Sequence, residues 1–202
     1  KLTMCGIHNT LNLNNGLSSL IYNLSFFSPN LEMLDISRCQ SNLTETVVSL
    51  YKMLRITTSV EVLVARNVVG LNPQLVDQFW VSLGECRSLR VLDIAYSGDI
   101  SSKATNMGNA IAFNAKKKGG LEHIDLTNCV NNVNSIAQLY QGMCISEYDE
   151  YRIYGDQIKA GKMISSNYKK DYFNNLKALQ LNRCGVLNPN FNLAYFNKLN
   201  HK

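Results

Sequence analysis

Hydrophobic positions in this chain fall into a short pattern that recurs. Leu31-Glu-Met-Leu34-Asp-Ile36-Ser-Arg-Cys39 has apolar residues at its first, fourth and sixth places and a cysteine at its ninth. The pattern returns at Leu89-Arg-Val-Leu92-Asp-Ile94, with Ser97 in the ninth place, and at Leu121-Glu-His-Ile124-Asp-Leu126-Thr-Asn-Cys129. It returns again at Leu176-Lys-Ala-Leu179-Gln-Leu181-Asn-Arg-Cys184. Val60-Glu-Val-Leu63-Val-Ala65 is a looser copy, and Tyr148-Asp-Glu-Tyr151-Arg-Ile153, with Asp156 in the ninth place, is a degenerate one. The copies start at 31, 60, 89, 121, 148 and 176, so their spacings are 29, 29, 32, 27 and 28 residues. That regularity predicts one more repeat within 142–175 rather than an insertion.

Between the copies the apolar period changes to that of a helix. Asn72-Pro73 is a capping side chain ahead of a proline at a first helical position. Leu75, Val76, Phe79, Trp80 and Leu83 follow at helical spacing, and Gly84 closes the element. Thr44 to Leu54 reads the same way through Val47, Val48, Leu50, Tyr51 and Leu54. A further helix is capped by Ser101 or Ser102, turns Ala110, Ile111 and Phe113 inward, and ends at Gly119-Gly120. Asn188-Pro189-Asn190 with Phe191, Leu193 and Phe196 predicts a last one. Each limb is apolar on one side only and buries that side by stacking on its neighbours.

The pattern resembles the leucine-rich repeats, in particular their ribonuclease-inhibitor-like and cysteine-containing, F-box-associated subtypes. Phe27-Ser28-Pro29-Asn30-Leu31 and Gly84-Glu85-Cys86-Arg87-Ser88-Leu89 are similar to the "CPxL" lead-in of the F-box-associated repeats. Residues Ile100 to Asn114 are closer to a ribonuclease-inhibitor helix. The resemblance implies an α/β solenoid, a horseshoe with a parallel sheet on its concave side and helices on its convex side. Residues 1–202 then form a single domain of about six to seven repeats. Leu2-Thr-Met4 aligns with Leu34-Asp-Ile36, so the chain begins inside a repeat without a polar cap. A fragment of a longer protein is expected, or an array whose cap is disordered or supplied by a partner. In the family the ninth-place residue satisfies backbone groups as the chain leaves the sheet, which makes Cys39, Cys129 and Cys184 a structural ladder.

Composition narrows the chemistry. With 46% hydrophobic and 17% charged residues the chain is expected to be globular rather than disordered, and the lack of any run of eighteen apolar residues predicts no membrane-spanning helix. A net charge of +5, spread widely, is weak ground for nucleic acid. Six cysteines without a CxxC pair, and three histidines, give no zinc spacing and suggest free thiols in a reducing compartment. Asn23-Leu24-Ser25 and Asn42-Leu43-Thr44 match the glycosylation triplet, as chance allows in an Asn-rich chain. An intracellular, cytoplasmic protein is expected, with the cytoskeleton or nucleus as alternatives. There is no phosphate loop, HExxH or GxSxG, so the sequence predicts neither enzyme, cofactor, metal nor small-molecule substrate. Lys116-Lys117-Lys118 is a basic helix end that complements the helix dipole.

What remains is the face of the sheet opposite the inward leucines. Three columns cross the repeats there. The first is Met33, Val62, Val91, His123, Glu150 and Ala178; the second is Asp35, Val64, Asp93, Asp125, Arg152 and Gln180; the third is Ser37, Arg66, Ala95, Thr127, Tyr154 and Asn182. Asp93 and Asp125 are like charges on neighbouring rungs, to be relieved by Arg152 on the next rung or by a partner's Lys or Arg. Met33, Val62, Val64 and Val91 form an apolar patch beside them. Met33, Asp35, Val62, Val64, Arg66, Val91, Asp93, His123, Asp125, Arg152 and Tyr154 are the candidate partner-binding residues. The predicted role is a non-enzymatic scaffold within a larger complex, binding another protein by its concave face or edge. The alternatives are the substrate-receptor repeats of an F-box ubiquitin ligase and a GTPase-activating protein of the Ran type.

Overall fold

A computed structural model of the 202-residue chain describes residues 1–3, 16–39, 43–68, 73–99, 103–115, 120–132, 134–139, 141–143 and 176–184. Its elements alternate. Strand β1 (Leu2–Thr3) precedes helix α1 (Gly16–Phe27), β2 (Met33–Asp35), α2 (Leu43–Ile56), β3 (Val62–Val64) and α3 (Pro73–Glu85). Then come β4 (Val91–Asp93), α4 (Ala104–Ala115), β5 (His123–Asp125) and β6 (Ala178–Gln180), with helical residues also at 134–139 and 141–143. The six strands form one open parallel sheet in the order of the chain.

β2 to β5 bury their middle residue, while Leu179 in the middle of β6 is half-buried; the flanking residues run from buried Asp93 to exposed His123 and Gln180. Leu34, Leu63, Leu92 and Ile124 are register partners and fully buried. Leu31, Val60, Leu89 and Leu121 stack before them, and Ile36, Ala65, Ile94 and Leu126 after them. Against these columns pack Ile21 of α1, Val47, Leu50 and Leu54 of α2, Phe79, Trp80 and Leu83 of α3, and Met107 and Ile111 of α4. All the helices therefore cover one face of the sheet. Pro73 is the first residue of α3 as expected, and α2 covers 44–54 with a residue or two more at each end. Phe113 departs from expectation: it is 52% exposed, because Ala110 and Ile111 fill the space toward the sheet and its ring lies over Gly84 of α3.

The largest correction concerns rung order. Leu2 pairs with Leu34, Leu34 with Leu63, Leu63 with Leu92 and Leu92 with Ile124, at separations of 32, 29, 29 and 32 residues. Ile124 then pairs directly with Leu179, 55 residues on. The sheet has no place between β5 and β6 for a rung at Tyr148–Ile153, which itself lies outside the described residues. The expected last helix at 188–196 and the Lys116–Lys118 tip also lie outside them.

The chain leaves β2, β3, β4, β5 and β6 by the same turn. Arg38, Asn67, Tyr96, Asn128 and Arg183 all have φ between 52° and 61°, and each sits just before the ninth place of its repeat. The next N–H closes the turn onto the carbonyl three residues back, as in Cys39 to Ile36, Ser97 to Ile94, Cys129 to Leu126 and Cys184 to Leu181. The left-handed residues extend the ladder sideways: Arg38 N donates to Arg66 O at 2.8 Å, Tyr96 N to Thr127 O at 2.8 Å and Asn128 N to Asn182 O at 2.9 Å. Three ninth-place side chains tie their rung to the one before. Ser97 Oγ donates to Ala65 O at 2.8 Å, Cys129 Sγ to Ile94 O at 3.0 Å and Cys184 Sγ to Leu126 O at 3.0 Å. Val68 fills this position in its own rung without a donor.

Candidate functional site

Side chains alternate along a strand, so the residues flanking each buried leucine point to the face without helices. Lateral register brings Met33, Val62, Val91, His123 and Ala178 into one row and Asp35, Val64, Asp93, Asp125 and Gln180 into the next. Nine of the candidate residues thus share this face or its edge. Arg152 and Tyr154 lie outside the described residues, and Ala178 and Gln180 occupy the positions beside His123 and Asp125. Met33, Val62, Val64 and Val91 are half-buried neighbours over three rungs.

The acids are held from within. Asp35, Asp93 and Asp125 each turn one carboxylate oxygen back to the N–H two residues on, at Ser37 (2.9 Å), Ala95 (3.2 Å) and Thr127 (2.9 Å). This fastens the bend off the strand. The cation expected from Arg152 or from a partner is Arg66, whose Nε donates to Asp93 Oδ2 at 2.5 Å and whose Nη2 lies 3.6 Å from Asp125 Oδ2. Its hydrogen bond to Asp93, and then the charges of Asp93, Asp125 and Asp35, raise the Arg66 pKa above the ordinary guanidinium value. Asp93 is only 7% exposed, so the pair closes the floor of the sheet rather than offering an open acid. Arg66, Val91, Asp93, His123, Asp125 and Gln180 line a shallow depression of about 150 Å³ there.

At the opposite end of the strands the second place of each repeat reads Glu32, Glu61, Arg90, Glu122 and Lys177. Arg90 Nη2 donates to Glu122 Oε1 at 2.5 Å and Nη1 lies 3.6 Å from Glu61 Oε2, while Lys177 Nζ donates to Glu122 Oε2 at 2.7 Å. The Lys177 hydrogen bond, then that of Arg90, lowers the Glu122 pKa, and Glu122 raises that of Arg90. The opposite signs in one repeat position were the sequence signal for this row, but only neighbouring rungs make them a network.

The four described cysteines, Cys39, Cys86, Cys129 and Cys184, are buried free thiols. Burial pushes the Cys129 thiol up to about 11. Its Sγ donates to Ile94 O, a bond only the protonated thiol makes. No helix among the described residues is long and apolar enough to cross a membrane. No family model, curated protein or solved structure matches the chain.

Proposed function

We propose that the chain is a leucine-rich-repeat solenoid, with the open sheet face concave and the helices convex, and that it serves as a non-enzymatic scaffold within a larger complex. It binds a partner protein through the uncovered sheet. The observation that carries this reading is the row of half-buried apolar side chains, Met33, Val62, Val64 and Val91, on the face opposite the helices. They are bordered by the Arg66–Asp93–Asp125 cluster, which gives an apolar centre with a polar margin. Since Arg66 already compensates both acids, the partner contributes apolar side chains to this patch and not a cation.

The test uses the purified chain as bait. A Val62→Asp/Val91→Asp variant, shown folded by circular dichroism, is expected to lose partners that a Lys52→Gln variant on the helical side keeps. A folded double variant that keeps every partner of the wild type removes the reading. Asp93→Lys is unsuited to this test, because it breaks the Arg66 and Ala95 contacts that hold the turn.

A further inference from the structure

The C-terminal edge of the sheet carries a ridge that the backbone alone does not explain. Arg38, Asn67, Tyr96, Asn128 and Arg183 stand on successive rungs, all exposed, each followed by a buried residue. At φ of 52–61° the residues with least steric penalty are Gly and Asn, whose short side chains suit the left-handed region. Asn fills two of the five positions; Arg, Tyr and Arg fill the others at a conformational disadvantage. Buried packing does not account for them, since all three side chains face solvent.

Charge says what they face. The acids at this end are engaged: Asp35, Asp93 and Asp125 bond their own turns, Arg66 bridges the latter two, and Asp99 has a partner of its own. Among the described residues no acid pairs with Arg38 or Arg183. Among the described residues the ridge is therefore two guanidiniums with no acid partner, with amides and a phenol between them. Four rung steps of about 4.8 Å separate the cations by roughly 19 Å, the reach of about six residues of extended chain at 3.3 Å each. The amides of Asn67 and Asn128 match the donor and acceptor of a peptide backbone. A nucleic acid would call for cations along its whole phosphate track and several stacking aromatics, whereas this edge has one ring between two distant charges.

We infer that this ridge binds an extended acidic polypeptide segment, with Arg38 and Arg183 taking carboxylates at its two ends and Asn67, Tyr96 and Asn128 lying along the chain between them. The surface is separate from the apolar patch on the open face. It is tested with a dye-labelled octaglutamate peptide, by fluorescence anisotropy on the full chain. Binding that weakens with added salt is expected. Arg38→Asn/Arg183→Asn is expected to lower affinity about tenfold or more while raising the thermal midpoint by about 2–4 °C, because Asn relieves the left-handed positions. Lys52→Gln/Arg87→Gln, which removes the same charge elsewhere, is expected to stay within about twofold of wild type, as is Val62→Asp/Val91→Asp. Absence of octaglutamate binding, an equal loss in the Lys52/Arg87 pair, or an Arg38/Arg183 pair that binds as wild type each overturns the inference and leaves the open-face reading standing. An Arg38/Arg183 pair that is not stabilised overturns it as well, since these side chains would then be kept for the fold.

Discussion

Asn114 stands at the end of α4, fully buried, and serves three backbone groups at once. Its Nδ2 donates to Leu83 O at 2.5 Å and Cys86 O at 2.8 Å, and its Oδ1 accepts from Leu121 N at 2.8 Å. It thereby joins the ends of two helices to the start of β5. Asn114→Ala strands these groups away from water and is expected to lower stability by about 2–4 kcal/mol in urea titration. Asn114→Asp should do no better, because a carboxylate cannot donate to two carbonyls. Nothing in the sequence singles this asparagine out, since Asn is an ordinary turn residue and its partners lie 28 and 31 residues away. The cysteine ladder was easier to foresee, because its position in the repeat is fixed. The thiols of Cys129 and Cys184 are buried and donate hydrogen bonds to backbone carbonyls. In the native protein at pH 8 both are expected to resist iodoacetamide, and to react once the chain is unfolded in urea. Rapid native labelling would show that the ladder opens.

Between elements, glycine decides how closely helices approach. A Cβ on Gly108 of α4 would stand within contact of the Leu139 carbonyl oxygen, and one on Gly142 equally near that of Thr105. The two helices meet backbone to backbone through reciprocal glycines. Gly108→Ala is expected to destabilise by about 1–3 kcal/mol, since a backbone carbonyl cannot move aside as a side chain would. Gly84 in α3 is the contrast: a methyl there meets Phe113 at 3.5 Å and Ala110 at 3.7 Å, ordinary contact distances. Gly84→Ala should therefore raise stability by about 0.5–1 kcal/mol through helix propensity. Thermal or urea unfolding of the two variants, side by side, checks both signs. The ion row at the strand starts also belongs to this scale. Pairing with Lys177 and Arg90 favours the Glu122 carboxylate and places its folded pKa below its unfolded one. Its contribution is complete above the unfolded value of about 4.3 and is lost as pH falls through the folded value. Glu122→Gln is expected to flatten the fall in thermal midpoint below about pH 4 and to leave the profile between pH 6 and 8 unchanged in shape.

For the whole molecule, stability is passed from rung to rung. Among the described residues every strand pairs with its neighbours in chain order and each helix from α1 to α4 packs on the next, so the middle strands pair on both sides and β1 on one. Such an arrangement opens from its ends. The ladder amides of Ala65 and Ile94, which bond to Asp93 O and Asp125 O, are expected to exchange hydrogen more slowly than the β1 amides. Uniform exchange across the sheet would point instead to a single all-or-none opening.

The repeat pattern was enough to identify the strands. Leu31, Leu34 and Ile36, with their counterparts from Val60, Leu89, Leu121 and Leu176, are set by a local rule: three apolar places in six, filled by residues that fit a stack of identical slots. Even the alignment of Leu2 with Leu34 was legible this way. The order of the last two rungs was not. Spacing suggested a rung at Tyr148–Ile153, yet closing a loop twice as long costs only about 0.6 kcal/mol more, so length alone cannot decide which strand comes next. Two tyrosines in leucine places are a poor match to the column of buried aliphatic side chains at Leu34, Leu63, Leu92 and Ile124, and β5 pairs with Leu179 instead. The same holds for the charges. A list of columns shows Asp93 beside Asp125, but which cation reaches them depends on side-chain length and on the neighbouring rung. Only the assembled sheet brings Arg66 across two acids, Arg90 between two glutamates, and Asn114 to the carbonyls of Leu83 and Cys86, because those contacts join residues 27 to 59 places apart that no local rule connects.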